Sequence, residues 1–257
     1  MTTSSEPKAR TALITGSGSG IGAAIAKRLA QPGTSILIHA KSNQTGCEQT
    51  AEAVKAAGGD AAIILGDLSE PDTGSKLINH AVDTFGALDI LVANAGFPVL
   101  KPFGELEADD MDYAYRVISQ SFFRMVTAAM PHLAQSACGR VVAISSLNAH
   151  TFRNDFPVFP ASSAAKAGIE ALSRSLAIQI CDTATTVNVV APGMINANPE
   201  HLGSLFTPEE LERISSLIPL GRLGRADEVA ALVNFLVSEE ASYITGQVVH
   251  VLSLIHI

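Results

Sequence analysis

Thr11-Ala12-Leu13-Ile14-Thr15-Gly16-Ser17-Gly18-Ser19-Gly20-Ile21-Gly22 carries an apolar strand into four alternating glycines, and an amphipathic run to Leu29 follows at once. This is how a chain approaches a phosphate closely. Gly16 allows the sharp turn out of the strand, and Gly20 removes a side chain that would hold a pyrophosphate away. Gly22 lets the next helix pack tightly on the sheet, with its first amides and positive dipole end aimed at an anion. Glycine-rich turns also close ordinary hairpins. The strand before and the helix after make this one a dinucleotide-site expectation, with Ser19 and Ile21 among its contacts.

Outward from that turn, short apolar runs alternate with longer helical patterns. Strands are expected at 11–15, 35–40, 61–65, 90–93, 140–145, 186–190 and 247–251, and helices at 21–30, 45–57, 73–85, 111–134, 164–180 and 227–237. A further short helix starts at Thr207-Pro208-Glu209-Glu210, where the threonine caps and the proline opens the first turn. Runs as apolar as Val141-Val142-Ala143-Ile144 imply strands buried on both faces, hence a parallel sheet covered by helices. The expected fold is α/β, a single-domain Rossmann fold: a doubly wound parallel sheet of about seven strands with helices on both faces. No linker, repeat or shift of composition divides residues 1–257.

Apolar residues make up 47% of the 257 and charged residues 16%, which suits a globular chain with a large core. A formal charge of -8, with no run of lysine or arginine, argues against a nucleic-acid surface. No stretch approaches the roughly 18 uninterrupted apolar residues of a membrane span. Residues 1–10 are polar and leave no room for a signal peptide, so a cytoplasmic location is expected. Cys47, Cys138 and Cys181 are far apart and lack metal-ligand spacing. They read as reduced thiols, and no metal site is expected.

Ligands of such sheets bind outside the carboxyl ends of the strands. That rule gathers Gly16 to Gly22, Ala40-Lys41, Asp67-Leu68, Asn94-Ala95-Gly96, Ser145-Ser146 and Pro192-Gly193-Met194 into one crevice. Together these loops resemble the short-chain dehydrogenase/reductase family. Thr15-Gly16-Ser17-Gly18-Ser19-Gly20-Ile21-Gly22 matches its Thr-Gly-x-x-x-Gly-x-Gly turn, and Asn94-Ala95-Gly96 the motif after its fourth strand. Asn188-Val189-Val190-Ala191-Pro192-Gly193 matches the segment after the sixth. Pro219-Leu220-Gly221-Arg222 and Tyr243-Ile244-Thr245-Gly246-Gln247 match its approach to the last strand. The nearest subgroup resembles 3-oxoacyl-carrier-protein reductases.

The resemblance implies that Asp67, followed by Leu68, holds an adenine, and that Asn94 contacts the adenosine ribose region and steadies the strand ends. It places Ala95, Gly96, Pro192 and Gly193 along the cofactor, with Ile195 packed on the nicotinamide ring. Residue chemistry sets the cofactor type. An NAD enzyme wants a carboxylate near Ala40 for the ribose hydroxyls, and none is present. Lys41 follows instead, where a cation pairs with a 2′-phosphate, so NADP(H) is expected over NAD(H).

Carbonyl reduction needs a hydride donor, a proton donor and a group that positions the oxygen. The family takes its proton from a tyrosine four residues before a lysine, whose ammonium lowers the phenol pKa. A serine orients the carbonyl, and an asparagine in the long preceding helix supports the lysine through water. Here Ser146 falls at the serine and Lys166 at the lysine, which also contacts the cofactor ribose. Ser162 stands at the tyrosine position and Ile118 at the asparagine position. A serine hydroxyl is a much weaker acid than a phenol. His150, with its near-neutral imidazole, and Tyr115, on the Ile118 helix, are alternative acids.

Three functions stay open at this level. The first is an NADPH-dependent reductase of a small carbonyl, imine, iminium or conjugated substrate with altered proton delivery. The others are a non-redox catalyst on the same scaffold and a cofactor-binding pseudoenzyme. Pocket walls are expected from 97–103, from the 147–159 loop with Phe152, Phe156, Val158 and Phe159, and from 196–216. After Pro192-Gly193, Ala197 cannot supply the side-chain hydrogen bond that a family threonine makes to the nicotinamide amide. The resemblance also implies a homo-oligomer, a dimer or tetramer built on the two long helices. Where the family ends its last strand with Asn/Asp-Gly-Gly, this chain reads Leu252-Ser253-Leu254-Ile255-His256-Ile257, an atypical tail that reads as foreign to the family.

Overall fold

The computed structural model describes residues 9–255. Seven strands form one wholly parallel sheet: β1 (Arg10–Ile14), β2 (Thr34–Ala40), β3 (Asp60–Leu65), β4 (Ile90–Ala93), β5 (Arg140–Ile144), β6 (Thr186–Pro192) and β9 (Val248–Val251), in the order β3-β2-β1-β4-β5-β6-β9. The order reverses between β1 and β4, and that switch point opens a crevice at the strands' carboxyl ends.

The period of two along each strand divides the core. Leu13, Leu37, Leu91 and Val141 face one layer of helices, while Ile14, Ile38, Val92 and Val142 face the other. The first layer is built on α3 (Thr73–Phe85), α5 (Ser121–Gln135) and α6 (Pro160–Gln179); the second on α1 (Gly20–Leu29), α2 (Gln44–Ala56) and α9 (Ala226–Leu236). Burial on both sides explains why these strands read as continuous apolar runs.

Several elements differ from the pattern expected of the sequence. The helix expected at 111–134 begins earlier, as α4 (Ala108–Tyr115), because Glu107 and Asp110 form a capping box. It then passes through a π-helical turn, Arg116–Gln120, before continuing as α5. Hydrophobic periodicity does not register one wider turn inside an otherwise regular helix. Helix α6 starts at Pro160, four residues before the expected boundary, since proline suits a first helical turn. It therefore takes in Ser162.

The sequence pattern did not expose α7 (Pro199–Leu205), the 3-10 turn Leu147–Ala149, or the short pair β7 (Ile195–Asn196) and β8 (Gly224–Arg225). Each is too short to establish a period. Helix α8 (Pro208–Ser216) does begin where expected, with a reciprocal Thr207–Glu210 capping box.

Beyond β9, Leu252 and Ile255 are buried against Leu147 and Ile218. The Arg153 guanidinium donates to the Ile255 carbonyl at 3.0 Å. Ser253 and Leu254 take φ values of 51° and 64°, the left-handed region, at the two places where the family's glycines fall. His256 and Ile257 lie outside the described residues. Leu254 is half exposed, so its removal forfeits little burial, whereas a left-handed non-glycine residue stores about 1–2 kcal/mol. Leu254→Gly is expected to raise the thermal midpoint by roughly 2–4 °C; an unchanged or lower midpoint contradicts this account of the tail.

Candidate active site

The glycine turn leaves β1 and enters α1 under two constraints. A Cβ on Gly22 would lie 2.4 Å from the Gly16 carbonyl oxygen and 2.6 Å from Asn94 Nδ2, so the helix packs on the turn only with glycine there. Gly20 has φ +58°, and a Cβ on it would meet nothing nearer than Ala197 Cβ at 3.5 Å. Space and backbone therefore both open toward the crevice. Ser19, the N-cap of α1, makes no side-chain capping bond, which leaves the first-turn amides available to an anion.

Asn94 braces this turn from the neighbouring strand. Its Nδ2 donates to the carbonyls of Thr15 at 2.8 Å and Gly16 at 3.2 Å. Thr15 Oγ1 accepts from the backbone N–H groups of Asn94 and Ala95, each at 3.1 Å. The side-chain amide thus serves the turn itself, the steadying half of its expected role. His39 ties the turn to the end of β3: Nδ1 accepts from Gly16 N–H at 3.3 Å and Nε2 lies 3.0 Å from the Gly66 carbonyl. The ring is buried and neutral, and desolvation lowers its pKa against the opposing effects of Gly66 and Asp67.

At the end formed by β2 and β3, Lys41 Nζ sits 2.7 Å from Asp67 Oδ2 and donates to the Tyr113 hydroxyl at 2.9 Å. Burial alone raises the Asp67 carboxyl, but hydrogen bonds from Lys41 and Ser69 outweigh it and hold the group below its ordinary value. The same bond to Asp67, with that to Tyr113, raises the lysine. Two expected cofactor residues are thus paired with each other. Tyr113, which sequence reasoning missed, joins them and packs on Phe97 with ring centroids 5.3 Å apart. Tyr115 is half exposed and does not line the crevice. Two residues turn a helix by about 200°, which puts the two tyrosines on opposite sides. The available signal was the i, i+4 spacing of Tyr113 and Val117, both of which line the cavity.

The crevice continues past β4 and β5 into one cavity of about 630 Å³. Gly16, Ser19, Gly20, Ile21, Lys41, Asp67, Leu68, Asn94, Ala95 and Gly96 line it from one side; Ser146, Ser162, Lys166, Pro192, Gly193 and Ile195 line it from the other. Of the expected cofactor positions only Gly22 stands behind the surface, as its packing role requires.

Ser146 Oγ accepts from Asn148 N–H at 3.3 Å and keeps its own hydrogen for the cavity. Ser162 is differently placed. Its hydroxyl accepts from Val99 N–H at 2.8 Å and donates to the Phe97 carbonyl at 3.1 Å, which commits its one proton to the loop. Lys166 is buried and donates to the Ile144 carbonyl at 2.5 Å. Gly96 makes room for the ammonium, since a Cβ there would lie 2.9 Å from Nζ and 3.7 Å from Ile118 Cδ1. Desolvation in this apolar setting lowers the Lys166 pKa to about 8.

His150 is not brought to the cavity. Its Nε2 lies 2.7 Å from Glu170 Oε1, and the Ser145 hydroxyl donates to the same buried carboxylate. The His250 ring stands edge-on, 4.6 Å away. Glu170, one helical turn after Lys166, went unnoticed because an isolated glutamate on a helix carries no sequence signal. Of the aromatic and apolar positions in the 152–159 loop, Phe159 alone lines the cavity. Phe152 and Val158 are exposed, and Phe156 packs against the Leu147 and Phe159 clusters.

The family model described as Enoyl-(Acyl carrier protein) reductase matches residues 16–252. The chain belongs to the short-chain dehydrogenase/reductase family. It is an oxidoreductase by that membership, since its relatives are named reductases and dehydrogenases. A 3-oxoacyl-[acyl-carrier-protein] reductase of Aggregatibacter actinomycetemcomitans is 35% identical, over 94% of this chain and 97% of that protein. A versicolorin reductase of Emericella nidulans is 34% identical, over 94% of each. A Burkholderia cenocepacia short chain dehydrogenase solved in complex with NADP superposes with a TM-score of 0.88 at 30% identity, covering 97% of this chain and 99% of that one. The family fold accounts for the strand order and for the shared crevice. No helix among the described residues is long and apolar enough to cross a membrane, and no group of histidine, cysteine or carboxylate residues among them suits a metal ion.

The His39 latch has a pH signature. Its pKa lies below the ordinary 6.5 in the folded chain, so its stabilising bonds are intact above pH 6.5. They are lost as pH falls from there through the lowered folded value, because the unfolded chain takes up the proton first. Thermal melts between pH 7.5 and 5 are expected to fall more steeply for the parent than for His39→Gln. Parallel curves exclude the latch.

Proposed function

We propose that this oxidoreductase uses NADP(H) to reduce a small carbonyl, imine, iminium or conjugated substrate, with Lys166 itself delivering the proton. One observation carries the reading: Ser162 has spent its hydroxyl proton on the Phe97 carbonyl, whereas Lys166 lines the substrate end with a single acceptor among the described residues.

The residues suit the cofactor. The turn at Gly16 to Gly20 and the uncapped amides of α1 fit a pyrophosphate, while Lys41 offers a cation to a 2′-phosphate. Asp67 and Leu68 flank the place of an adenine, and Gly193 and Ile195 that of a nicotinamide. When bound, the dinucleotide supplies the hydride. The NADP-bound Burkholderia cenocepacia structure and an Agrobacterium tumefaciens 3-oxoacyl (acyl-carrier-protein) reductase solved with NADP bound support this cofactor.

Ser146 donates to the substrate oxygen and orients it. The ammonium of Lys166 stabilises negative charge developing on that oxygen and then protonates it, because a pKa near 8 places proton release close to working pH. Ile118 is buried, and its Cδ1 and the Lys166 amine both lie beside Gly96. His150 and Glu170 hold each other and the end of β5, outside the proton path. The outer faces of α5 and α6 expose Phe123 and Ile178, and we place self-association there.

Reduction is expected to hold level below pH 8 and to fall as pH rises through about 8, because the protonated amine is the acid. Lys166→Met should lower kcat by roughly 10²- to 10⁴-fold, with NADPH binding followed separately by fluorescence. His150→Ala should retain the alkaline limb. A limb that survives in Lys166→Met excludes Lys166 as the donor.

Lys41→Ala should weaken NADPH about tenfold or more, the worth of one charge-assisted hydrogen bond, and leave NADH unchanged. The substitution also exposes the unpaired Asp67 carboxylate to the 2′-phosphate. Equal effects on the two cofactors overturn the assignment.

A further inference from the structure

Glu170 is a buried carboxylate of α6 that lies outside the proposed proton path and does not line the cavity. A carboxylate taken out of water is costly unless donors compensate it. Two donors do so at one oxygen. The Ser145 hydroxyl donates to Oε1, and His150 Nε2 lies 2.7 Å from the same atom, a bond that the Nε2–H tautomer completes. The His250 ring of β9 backs the imidazole edge-on, with centroids 4.6 Å apart. Among the described residues Oε2 pairs with Arg174 Nη2 at the longer distance of 3.9 Å.

The two donors are the two ends of the segment that carries Ser146. Between them runs the 3-10 turn Leu147–Ala149, with Ser146 as its N-cap. The Ser146 hydroxyl accepts from Asn148 N–H at 3.3 Å, and its carbonyl accepts from Ala149 N–H at 3.1 Å. So short a 3-10 turn has little stability of its own, and its direction is set by what holds its ends. At the first end, Ser145 N–H donates to the Val190 carbonyl of β6 at 2.7 Å while its hydroxyl goes to Glu170. At the second, His150 N–H donates to the Leu147 carbonyl at 2.9 Å while its ring goes to Glu170. Leu147 is buried against Ile218, Leu252 and Ile255, which fixes the middle. Helix α6 therefore grips residues 144–150 three times: Lys166 at the Ile144 carbonyl, and Glu170 at both Ser145 and His150.

We infer that Glu170 is a positioning residue for the reduction: it fastens both ends of the Ser146 turn and so aims the Ser146 hydroxyl at the substrate oxygen. This rests on the reductase reading above and adds a residue that acts without touching the substrate. Misplacing a reacting group by about 1 Å costs on the order of 10²-fold in rate. The brace is therefore read in kcat, and cofactor affinity is indifferent to it.

The test uses the full chain with NADPH and two probes, ethyl pyruvate for a carbonyl and cyclohexenone for a conjugated system. Glu170→Leu removes both bonds at similar bulk, whereas Glu170→Gln keeps an amide oxygen able to accept from both donors. Glu170→Leu should lower kcat for the faster probe roughly ten- to hundredfold. Glu170→Gln should restore it to within about threefold of the parent, with NADPH affinity, read by fluorescence, unchanged in both. Hydrogen exchange needs no turnover: the amides of residues 145–151 should exchange faster in Glu170→Leu and at the parent rate in Glu170→Gln. A double-mutant cycle separates positioning from general support, since in a Ser146→Ala background Glu170→Leu should cost less than about twofold. An undiminished cost there overturns the inference, and so does parent-like kcat or exchange in Glu170→Leu. If Glu170→Leu does not fold, Ser145→Ala and His150→Ala each remove one bond and carry the same comparisons. A parent chain that binds NADPH and reduces neither probe rejects the reductase reading, and the positioning role with it. A parent that reduces a probe at a rate indifferent to Glu170 rejects the positioning role alone.

Discussion

The approach of α1 to the turn that precedes it governs the rest of this molecule. Gly22 sits where any side chain would enter the Gly16 carbonyl and the Asn94 amide. That amide in turn holds the Thr15 and Gly16 carbonyls from β4. One contact therefore joins β1, α1 and β4 at the point where the strand order reverses. The crevice exists because the chain leaves β1 in one direction and returns beside it from the other. His39 extends the same brace to the end of β3, so the turn is held from both neighbouring strands.

The proposed chemistry depends on a second constraint, the dry setting of Lys166. A buried ammonium costs free energy unless it is well solvated by the protein, and among the described residues it has the Ile144 carbonyl alone. Ile118, delivered by the π-helical turn, adds an apolar neighbour at the position where the family places an asparagine. Desolvation there lowers the Lys166 pKa to about 8. In the proposed reaction Ser162 stands where the resembling family has its tyrosine and Ile118 where it has an asparagine, which leaves Lys166 as the acid. Ser162 meanwhile becomes a tie for the 97–99 loop, which carries part of the apolar wall.

The sheet was legible in the amino-acid order because strands buried on both faces must be apolar throughout. The long helices were legible because one buried face imposes a period. The crevice could be assembled before any coordinates, since strand ends are where such folds place ligands. The π-helical turn, α7 and the β7–β8 pair were not legible, being too short to repeat a pattern. Of the 152–159 residues offered as a wall, Phe159 reaches the cavity. A loop has no period to say which of its side chains face inward. Tyr113 and Glu170 were missed for a related reason, as their partners Lys41 and Ser145 come from distant segments.

Residue order alone settles the family, the parallel sheet, the glycine-rich turn and the absence of a tyrosine at position 162. These follow from local rules: glycine where backbone must approach, apolar runs where both faces are covered, and residue identity at motif positions. Tertiary structure decides what each polar group is doing. It pairs Lys41 with Asp67, commits the Ser162 proton to a carbonyl, draws His150 to Glu170 and leaves Lys166 facing the cavity. Hydrogen-bond partners lie far apart along the chain and close in space, so the identity of a side chain states what it is able to donate. Only the folded arrangement states where the donation goes.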